Sequence, residues 1–274
     1  MFKFVENMAN AFNGKYALVT GAASGMGRIY ALRLADMGYG LILADINEEA
    51  LDSLCDSIEE VPVVQVCIDL ARRDAAAELG RIAAANDAVV EILINNAGVI
   101  FTSPICDTAP DKLGLMMDLH CTTPLLLCRE FVPGMKEAGC GYVLNISSIC
   151  AWMPWPIIGM YGNTKRFVKG YSRSLRIECR GSGVSVTTAI FGAVDTPLFG
   201  FSEKATRIML RTGVMISPEK AVDRALKAML HRRRRIIPGF VNSLAIPLVS
   251  ILPDGLLKFL ADRFGKYLSR SSGR

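Results

Sequence analysis

Short hydrophobic segments alternate along this chain with longer segments whose apolar residues have helical spacing. The short segments are KYALVTG (15–21), GLILAD (40–45), VPVVQVCID (61–69), VEILINNAG (90–98), GYVLNISS (141–148) and VSVTTAIFG (184–192). Their hydrophobicity is nearly continuous, which is typical of parallel strands buried on both faces. The pattern predicts an α/β fold, a doubly wound parallel sheet flanked by helices.

The helical segments have recognisable ends. One begins at Gly25 and stops at Gly38, another begins after Asn47, which can cap it, and a late one begins at Ser217 and Pro218. Further helices are predicted over 71–86, roughly 111–131 and about 160–179. A chain of 274 residues, 51% of them hydrophobic, can bury one large core. We therefore expect one catalytic, dinucleotide-binding domain over residues 1–237.

Charge and cysteine content exclude several classes of protein. Much of the net charge of +5 comes from HRRRR at 231–235, and no basic groove pattern predicts nucleic-acid binding. The eight cysteines form no CxxC pair and do not cluster with the two histidines, so we expect no metal site and a reducing compartment. The sequence predicts neither a signal peptide nor a spanning helix, and we expect a cytoplasmic protein.

The apolar extension over 238–274 is interrupted by Pro238, Pro247 and Pro253. Three uses are open: a lid over the active site, a contact between subunits, or a surface that rests on a membrane with arginines towards acidic lipid. We favour packing on the same domain or on a subunit partner over membrane contact.

A glycine-rich turn, TGAASGMG (20–27), follows the first predicted strand and opens a helix. Glycines at such a turn let the backbone approach a pyrophosphate, which the amides and dipole of the helix N-terminus stabilise. We therefore expect cofactor contacts from Gly21, Ser24, Gly25, Met26 and Gly27. The alternative is a tight strand-to-helix turn without a ligand.

Acidic and amide residues end the next predicted strands. Asp45 lies near the separation at which a carboxylate binds the ribose hydroxyls of NAD, and it would repel the 2′-phosphate of NADP, so we expect NAD. The alternative is that Asp45 caps a loop. Asp69, beside Leu70, is expected near the adenine. The motif NNAG is expected to line the cofactor channel with Asn96, Ala97 and Gly98, whereas Asn95 is interpreted as structural. The alternative is that both asparagines hold neighbouring loops together.

Three polar residues surround the end of the fifth strand and the start of the next helix. Ser148 ends the strand, and Tyr161 and Lys165 are four residues apart, so they share one helix face. A lysine ammonium beside a tyrosine can lower the tyrosine pKa from about 10 towards neutrality. Tyr161 would then take the proton of an alcohol while Ser148 stabilises its oxygen. A lone YxxxK pattern also occurs in ordinary helices.

The motifs TGAASGMG, NNAG, ISS and YGNTK, in this order, resemble those of the short-chain dehydrogenase/reductase family over roughly residues 14–200. The resemblance implies a Rossmann-type fold and an NAD-dependent oxidoreductase. It further implies that Tyr161 is the general base, that Lys165 binds the nicotinamide ribose and lowers the pKa of Tyr161, and that Ser148 orients the substrate oxygen.

The resemblance also assigns residues near the nicotinamide, namely Gly192, Val194 and Thr196. It implies a homodimer or homotetramer formed through the predicted helices at roughly 111–131 and 160–179.

Two residues depart from the family pattern. His120 stands where the family has an asparagine that holds a water between the lysine and solvent. Since an imidazole can donate, accept and titrate near neutrality, we expect His120 to serve the relay in altered form; the alternative is that it packs beside the helix. Phe191 replaces the usual proline and is expected to reshape the loop over the nicotinamide.

Aromatic residues between Ser148 and Tyr161 suggest the substrate class. Trp152 and Trp155 form a candidate apolar wall, which favours a bulky hydrophobic substrate such as a hydroxysteroid or bile acid. Alternatively, the tryptophans pack in the core or between subunits. A fatty or polyol substrate, or a non-catalytic dinucleotide-binding protein, is the alternative function.

Overall fold

Seven parallel strands form the central sheet, in the order β3-β2-β1-β4-β5-β6-β9. The structure is a computed structural model that describes residues 12–152, 156–195, 203–212, 215–239 and 252–259. The strands are β1 (Tyr16–Thr20), β2 (Gly40–Asp45), β3 (Val63–Cys67), β4 (Val90–Asn95), β5 (Gly141–Ser148), β6 (Val184–Phe191) and β9 (Arg235–Ile236). Two further short strands, β7 (Ala193–Val194) and β8 (Met215–Ile216), pair with each other.

Helices cover both faces of this sheet. They are α1 (Gly25–Asp36), α2 (Glu48–Cys55), α3 (Ala75–Ala85), α4 (Pro110–Met117), α5 (Thr123–Glu137), α6 (Gly159–Glu178), α7 (Glu203–Thr212) and α8 (Pro218–Leu230). Residues of α1, α2 and α8 belong to the hydrophobic core on one face, and residues of α3, α5 and α6 pack in the core on the other. The predicted doubly wound, Rossmann-type fold is confirmed.

The strands contribute alternate residues to the two cores. In β1, Ala17 and Val19 belong to the core of one face, whereas Tyr16 and Leu18 belong to the core of the other. Because successive side chains of a strand point to opposite faces, a strand covered on both sides must be apolar at every position. This requirement explains the continuous hydrophobic segments of the sequence.

The strand order reverses between β1 and β4, which are neighbours in the sheet although β2 and β3 come between them in the chain. In open parallel sheets, ligands bind at such a point, outside the carboxyl ends of the strands. The glycine-rich turn follows β1 and the NNAG motif follows β4. The fold therefore places both motifs on the edge where a cofactor is expected.

The helix predicted over roughly 111–131 is interrupted. A π-helical segment (Asp118–Thr122) separates α4 from α5 and contains His120. Pro124 is the second residue of α5 and has no N–H to donate to the carbonyl of His120 four residues earlier. The regular α-helical pattern therefore breaks at His120, and such π segments are frequent at functional sites.

Most of the extension over 238–274 lies outside the described residues. Within the described part, the backbone of residues 254–259 is helical and Leu257 is buried. No helix among the described residues combines the length and the apolar character that crossing a membrane requires.

Candidate active site

The glycine-rich turn leaves the N-terminus of α1 open. Gly21 and Gly25 have φ values of +64° and +51°, a region that glycine adopts without strain. The side chain of Ser24, the N-cap residue, makes no capping hydrogen bond, and the first turn of α1 contains no acidic residue. The first amides of α1 are therefore suited to an anionic group such as a pyrophosphate.

The turn packs against the segment that follows β4. A Cβ atom added at Gly27 would lie 1.8 Å from the carbonyl oxygen of Gly21, and one added at Gly21 would lie 2.9 Å from Cα of Ala97. The side-chain amide of Asn96 donates to the carbonyl oxygens of Thr20 and Gly21, at 3.0 and 3.1 Å. Asn96 thus holds the glycine-rich turn in place, which agrees with the alternative that the asparagines of this motif hold neighbouring loops together.

Asp45 connects the end of β2 to the same turn. Its Oδ2 accepts the amide of Ala23 at 2.9 Å, and its Oδ1 accepts the amide of Asn47 at 3.0 Å. These bonds agree with the loop-capping alternative, yet each carboxylate oxygen can accept a further hydrogen bond. The side chain can therefore hold the loop and bind a ribose hydroxyl at once.

Asp69 and Leu70 follow β3. Asp69 is exposed and its Oδ1 accepts the amide of Ala71 at 2.9 Å. Leu70 is buried, and its carbonyl accepts the hydroxyl of Thr123 at 2.5 Å. Asp69 is therefore accessible to a ligand at this edge of the sheet, whereas the side chain of Leu70 belongs to the core.

The structure brings Ser148, Tyr161 and Lys165 together. Ser148 is the last residue of β5, and its hydroxyl oxygen accepts the amide of Cys150 at 3.2 Å, so its proton remains available to a substrate oxygen. Nζ of Lys165 donates to the carbonyl of Ile146 at 3.2 Å and lies 5.6 Å from the centroid of the Tyr161 ring. The arrangement provides two hydroxyls and an ammonium in one largely buried region.

Burial dominates the ionisation of this group. It raises the pKa of Tyr161, an effect that the neighbouring Ser148 hydroxyl partly opposes. It also lowers the pKa of Lys165 to about 8. The sequence predicts a tyrosine pKa lowered by the lysine; instead, the cost of burying a phenolate raises the pKa of Tyr161, which keeps its proton at neutral pH.

His120 is fully enclosed and both of its ring nitrogens are used. Nε2 accepts the amide of Val99 at 3.1 Å, so the proton must be on Nδ1, which donates to the hydroxyl of Thr164 at 2.8 Å. Thr164 in turn donates to the carbonyl of Tyr161 at 2.8 Å. The prediction that His120 titrates near neutrality is wrong, because burial, helped by the charge of Lys165, lowers its pKa well below the usual range.

The ring of His120 leaves no room for a side chain at position 98. A Cβ atom at position 98 would lie 2.6 Å from Nε2 of His120 and 3.7 Å from Nζ of Lys165. The backbone of the NNAG motif therefore packs directly against the histidine ring. Sequence reasoning missed Val99 and Thr164, although Thr164 lies within the YGNTK motif and that motif was the available signal.

Two cysteines, Cys121 and Cys150, lie beside Lys165 and Tyr161. Cys150 is close enough to Tyr161 to raise the tyrosine pKa, and Cys121 is similarly close to Lys165. Burial raises the pKa of both thiols, that of Cys121 to about 11. Both are therefore neutral thiols at physiological pH.

Some of the remaining predicted residues lie in the hydrophobic core or on the surface of a helix, and two lie outside the described residues. Phe191 was expected to reshape a loop, but it ends β6 inside a hydrophobic core, in register with Ser148. Val194 is buried in the same core, and Gly192 links β6 to β7. Trp152 places its ring 4.0 Å from Nζ of Lys169, so at least part of its surface packs on α6. Trp155 and Thr196 lie outside the described residues.

Comparisons with known proteins agree with this geometry. A family model described as short chain dehydrogenase matches residues 15–206. Very-long-chain 3-oxoacyl-CoA reductase-A of Danio rerio is 28% identical over 270 residues, covering 94% of this chain and 82% of that protein. Hydroxysteroid dehydrogenase-like protein 1 of Gallus gallus is 26% identical over 266 residues, covering 94% of this chain and 78% of that protein.

A solved structure is also similar over most of the chain. The short-chain dehydrogenase from Sphingobium yanoikuyae in complex with NADPH has a TM-score of 0.74 and 27% sequence identity. The match covers 88% of this chain and 97% of that chain.

Proposed function

This chain belongs to the short-chain dehydrogenase family, and we propose that it is an NAD-dependent oxidoreductase acting on a secondary alcohol or ketone. The proposed substrate is a bulky hydrophobic molecule such as a hydroxysteroid or bile acid. The observation that carries the proposal is the position of Ser148, Tyr161 and Lys165 at the carboxyl end of β5, beside a glycine-rich turn that can hold a pyrophosphate.

Tyr161 and Ser148 have different roles at the substrate oxygen: Tyr161 exchanges a proton with it, and Ser148 donates a hydrogen bond to it. The nicotinamide, when bound, supplies the acceptor or donor of the hydride. Tyr161 takes the hydroxyl proton of an alcohol, or donates its own proton to the oxygen of a ketone, and Ser148 donates a hydrogen bond to that same oxygen. Because burial raises its pKa, Tyr161 is protonated at neutral pH, which is the form that reduces a ketone.

The cofactor proposal rests on the glycine-rich turn and Asp45. The close packing of Gly21 and Gly27 leaves room for backbone alone, which is what a pyrophosphate cradle requires. Asp45 is fixed at the end of β2 by two backbone amides, where a carboxylate favours the ribose hydroxyls of NAD and repels a 2′-phosphate. The similar Sphingobium yanoikuyae protein is in complex with NADPH, so the preference needs a direct test.

The substrate proposal has a second candidate. The name of the Gallus gallus relative supports a hydroxysteroid-like substrate. That of the Danio rerio relative favours a long-chain 3-oxoacyl or 3-hydroxyacyl thioester instead. Both have a large apolar part and an oxygen at a position that is a ketone or a secondary alcohol, and the same Ser148 and Tyr161 chemistry serves either.

A substrate panel tests the proposal. The purified protein is assayed with NAD and NADP on hydroxysteroids, bile acids, long-chain 3-hydroxyacyl thioesters and polyols, and with the reduced cofactors on the matching ketones, by absorbance of the reduced nicotinamide. We expect turnover of a hydrophobic substrate with NAD or NADH. Turnover of polyols alone overturns the substrate class. No turnover, combined with NAD binding by calorimetry, supports a non-catalytic dinucleotide-binding protein instead.

We further propose a homodimer or homotetramer formed through α5 and α6. Leu125 on α5, and Phe167 and Ile177 on α6, are large hydrophobic residues exposed by 40%, 42% and 64%. Light scattering coupled to gel filtration measures the mass, and a monomer at micromolar concentration contradicts this proposal.

A further inference from the structure

A small polar cavity lies behind Lys165, between the π-helical segment, β5 and α6. It has a volume of about 10 Å³, roughly the space of one water molecule. Its polar lining includes Asn95, Asn145, His120, Lys165 and Tyr171. Apolar cavities of this size stay dry, whereas a cavity with several polar partners holds a water.

Two atoms of this lining have no protein partner. Among the described residues, Oδ1 of Asn95 and the hydroxyl of Tyr171 are buried without a hydrogen bond. Buried polar groups are rarely left in that condition, since each one loses its bonds to water and gains nothing in return. That both line the same cavity indicates a shared partner.

The orientation of Asn95 follows from a directed chain of hydrogen bonds. The hydroxyl of Ser172 donates to the carbonyl of Val168 at 2.6 Å, so it accepts from Nδ2 of Asn145 at 2.9 Å. Oδ1 of Asn145 therefore faces Asn95 and accepts its Nδ2 at 2.7 Å. The atom of Asn95 that remains is an acceptor, and it requires a donor.

The other groups that line the cavity have hydrogen-bond donors that a water molecule could accept. Lys165 has three N–H donors and uses one on the carbonyl of Ile146. His120 does not compete, because both of its ring nitrogens are bonded elsewhere. A water can accept from Lys165 and from the Tyr171 hydroxyl and donate to Asn95, which satisfies all three groups.

We propose that this cavity holds one buried water bonded to Lys165, Asn95 and Tyr171, and that Tyr171 is a positioning residue that acts on the reaction through this water. The inference rests on the proposed function. A water oxygen that accepts from Lys165 favours the ammonium form. Removing the Tyr171 hydroxyl removes one of the hydrogen bonds that hold the water in the cavity. When the water is lost, Nζ of Lys165 loses an acceptor, and its ammonium form becomes less favourable relative to the neutral amine.

The titratable groups that face Lys165 and Tyr171 carry no charge of their own at neutral pH. They are His120 and Cys121 on the π-helical segment, Cys128 on α5, and Tyr161 on α6. Burial lowers the pKa of His120 and raises the pKa values of the other three, those of Cys121 and Cys128 to about 11 and about 12. The Lys165 ammonium is therefore the charge among these groups, and an ammonium 5.6 Å from the centroid of the Tyr161 ring favours loss of the phenol proton.

The test compares Tyr171→Phe with Tyr30→Phe. Tyr30 is a matched control, since its hydroxyl is also buried without a partner among the described residues, but it belongs to α1 and lies in the core on the other face of the sheet. In alcohol oxidation Tyr161 must lose its proton. That loss becomes harder when the ammonium form of Lys165 is less favourable, because the ammonium stabilises the phenolate. We expect Tyr171→Phe to move the acid limb of kcat/KM to higher pH by roughly 0.5–1 unit, a three- to tenfold loss on that limb.

Tyr30→Phe is expected to leave the pH profile unchanged. An unshifted profile in Tyr171→Phe overturns the positioning role, and so does an equal shift in both variants. A high-resolution crystal structure of the wild-type protein provides a readout without activity. A water bonded to Lys165, Asn95 and Tyr171 supports the inference, and its absence overturns it. If no substrate is oxidised, the proposed function fails, while the crystal structure still decides whether the water is present.

Discussion

The proposed site has two halves that are built in different ways. The cofactor half is the glycine-rich turn with Asp45 and Asn96, and the chemical half is the group of residues around Tyr161. Around the glycine-rich turn the contacts are made largely by the backbone: amides bind Asp45, and carbonyls accept from Asn96. Around Tyr161 the contacts run through the side chains of His120 and Thr164, which connect the backbone amide of Val99 to the backbone carbonyl of Tyr161. The cofactor half therefore depends on shape, and the chemical half depends on particular atoms.

This difference predicts how substitutions in each half will fail. A larger side chain in the cofactor half displaces backbone and weakens cofactor binding. Loss of an atom in the chemical half leaves cofactor binding intact and removes a proton or a hydrogen bond. Four substitutions test this distinction.

Tyr161→Phe should have the largest effect. It removes the hydroxyl that exchanges a proton with the substrate and keeps the ring that packs beside His120. We expect kcat to fall by about a thousandfold or more, with NAD affinity by calorimetry nearly unchanged. Tyr142→Phe, a tyrosine at the opposite end of β5, is the control and should retain activity. A Tyr161→Phe enzyme of near wild-type kcat would refute the assignment.

Gly27→Ala should act on the cofactor half. Because the new Cβ would lie 1.8 Å from the carbonyl oxygen of Gly21, the turn must move. A displacement of about 1 Å in such a site costs roughly a hundredfold, here in kcat/KM for NAD. Gly170→Ala is the matched control, since a Cβ at that exposed position of α6 meets nothing within 4 Å. Equal NAD kinetics in both variants would contradict the packing argument.

His120→Ala tests the hydrogen-bond chain of the chemical half. It leaves the amide of Val99 without its partner and opens a cavity beside Thr164. We expect the free energy of unfolding to fall by about 2–3 kcal/mol, measured by urea denaturation. The control is His231→Ala, an exposed histidine at the end of α8, with an expected loss of about 0.5 kcal/mol. Similar losses in the two variants would show that His120 is not a structural connection.

Asp45→Asn should have the smallest effect, chiefly on cofactor choice. Because asparagine keeps only one acceptor oxygen, one of the two bonds from the amides of Ala23 and Asn47 is also lost. Removing the negative charge relieves the repulsion of a 2′-phosphate, and we expect the NADP to NAD ratio of kcat/KM to rise by about tenfold. Asp69→Asn is the control and should leave the ratio unchanged, because Asp69 is expected near the adenine rather than the ribose. The measurement is steady-state kinetics with both cofactors. A ratio near one in the wild-type protein would overturn the proposed preference for NAD.

Much of the fold followed from the sequence. The continuous apolar strands required burial on both faces, and the structure has that sheet with helices on each side. The grouping of Ser148, Tyr161 and Lys165 also followed, because a strand end and one face of the next helix are fixed by local periodicity. These inferences depend on neighbours along the chain, which a sequence displays directly.

Other features could not be read from the sequence. The π-helical interruption at His120 depends on the missing N–H of Pro124. The apolar residues on both sides keep helical spacing, so the sequence predicted one continuous helix. The core position of Phe191 depends on how β6 pairs with β5, and the contact of Asn96 with Gly21 joins segments about 75 residues apart. Each depends on which segments meet in three dimensions.

The sequence by itself determined the order of the elements, the position of the glycine-rich turn, and the choice of Ser148, Tyr161 and Lys165 as candidate catalytic residues, because these follow from local spacing, residue chemistry and the motifs of the family. Only the tertiary structure decided how those side chains ionise. Burial makes His120 neutral, lowers the pKa of Lys165 to about 8 and keeps the proton on Tyr161. The physical reason is desolvation: the cost of a charge depends on everything packed around it, and no stretch of sequence contains that information.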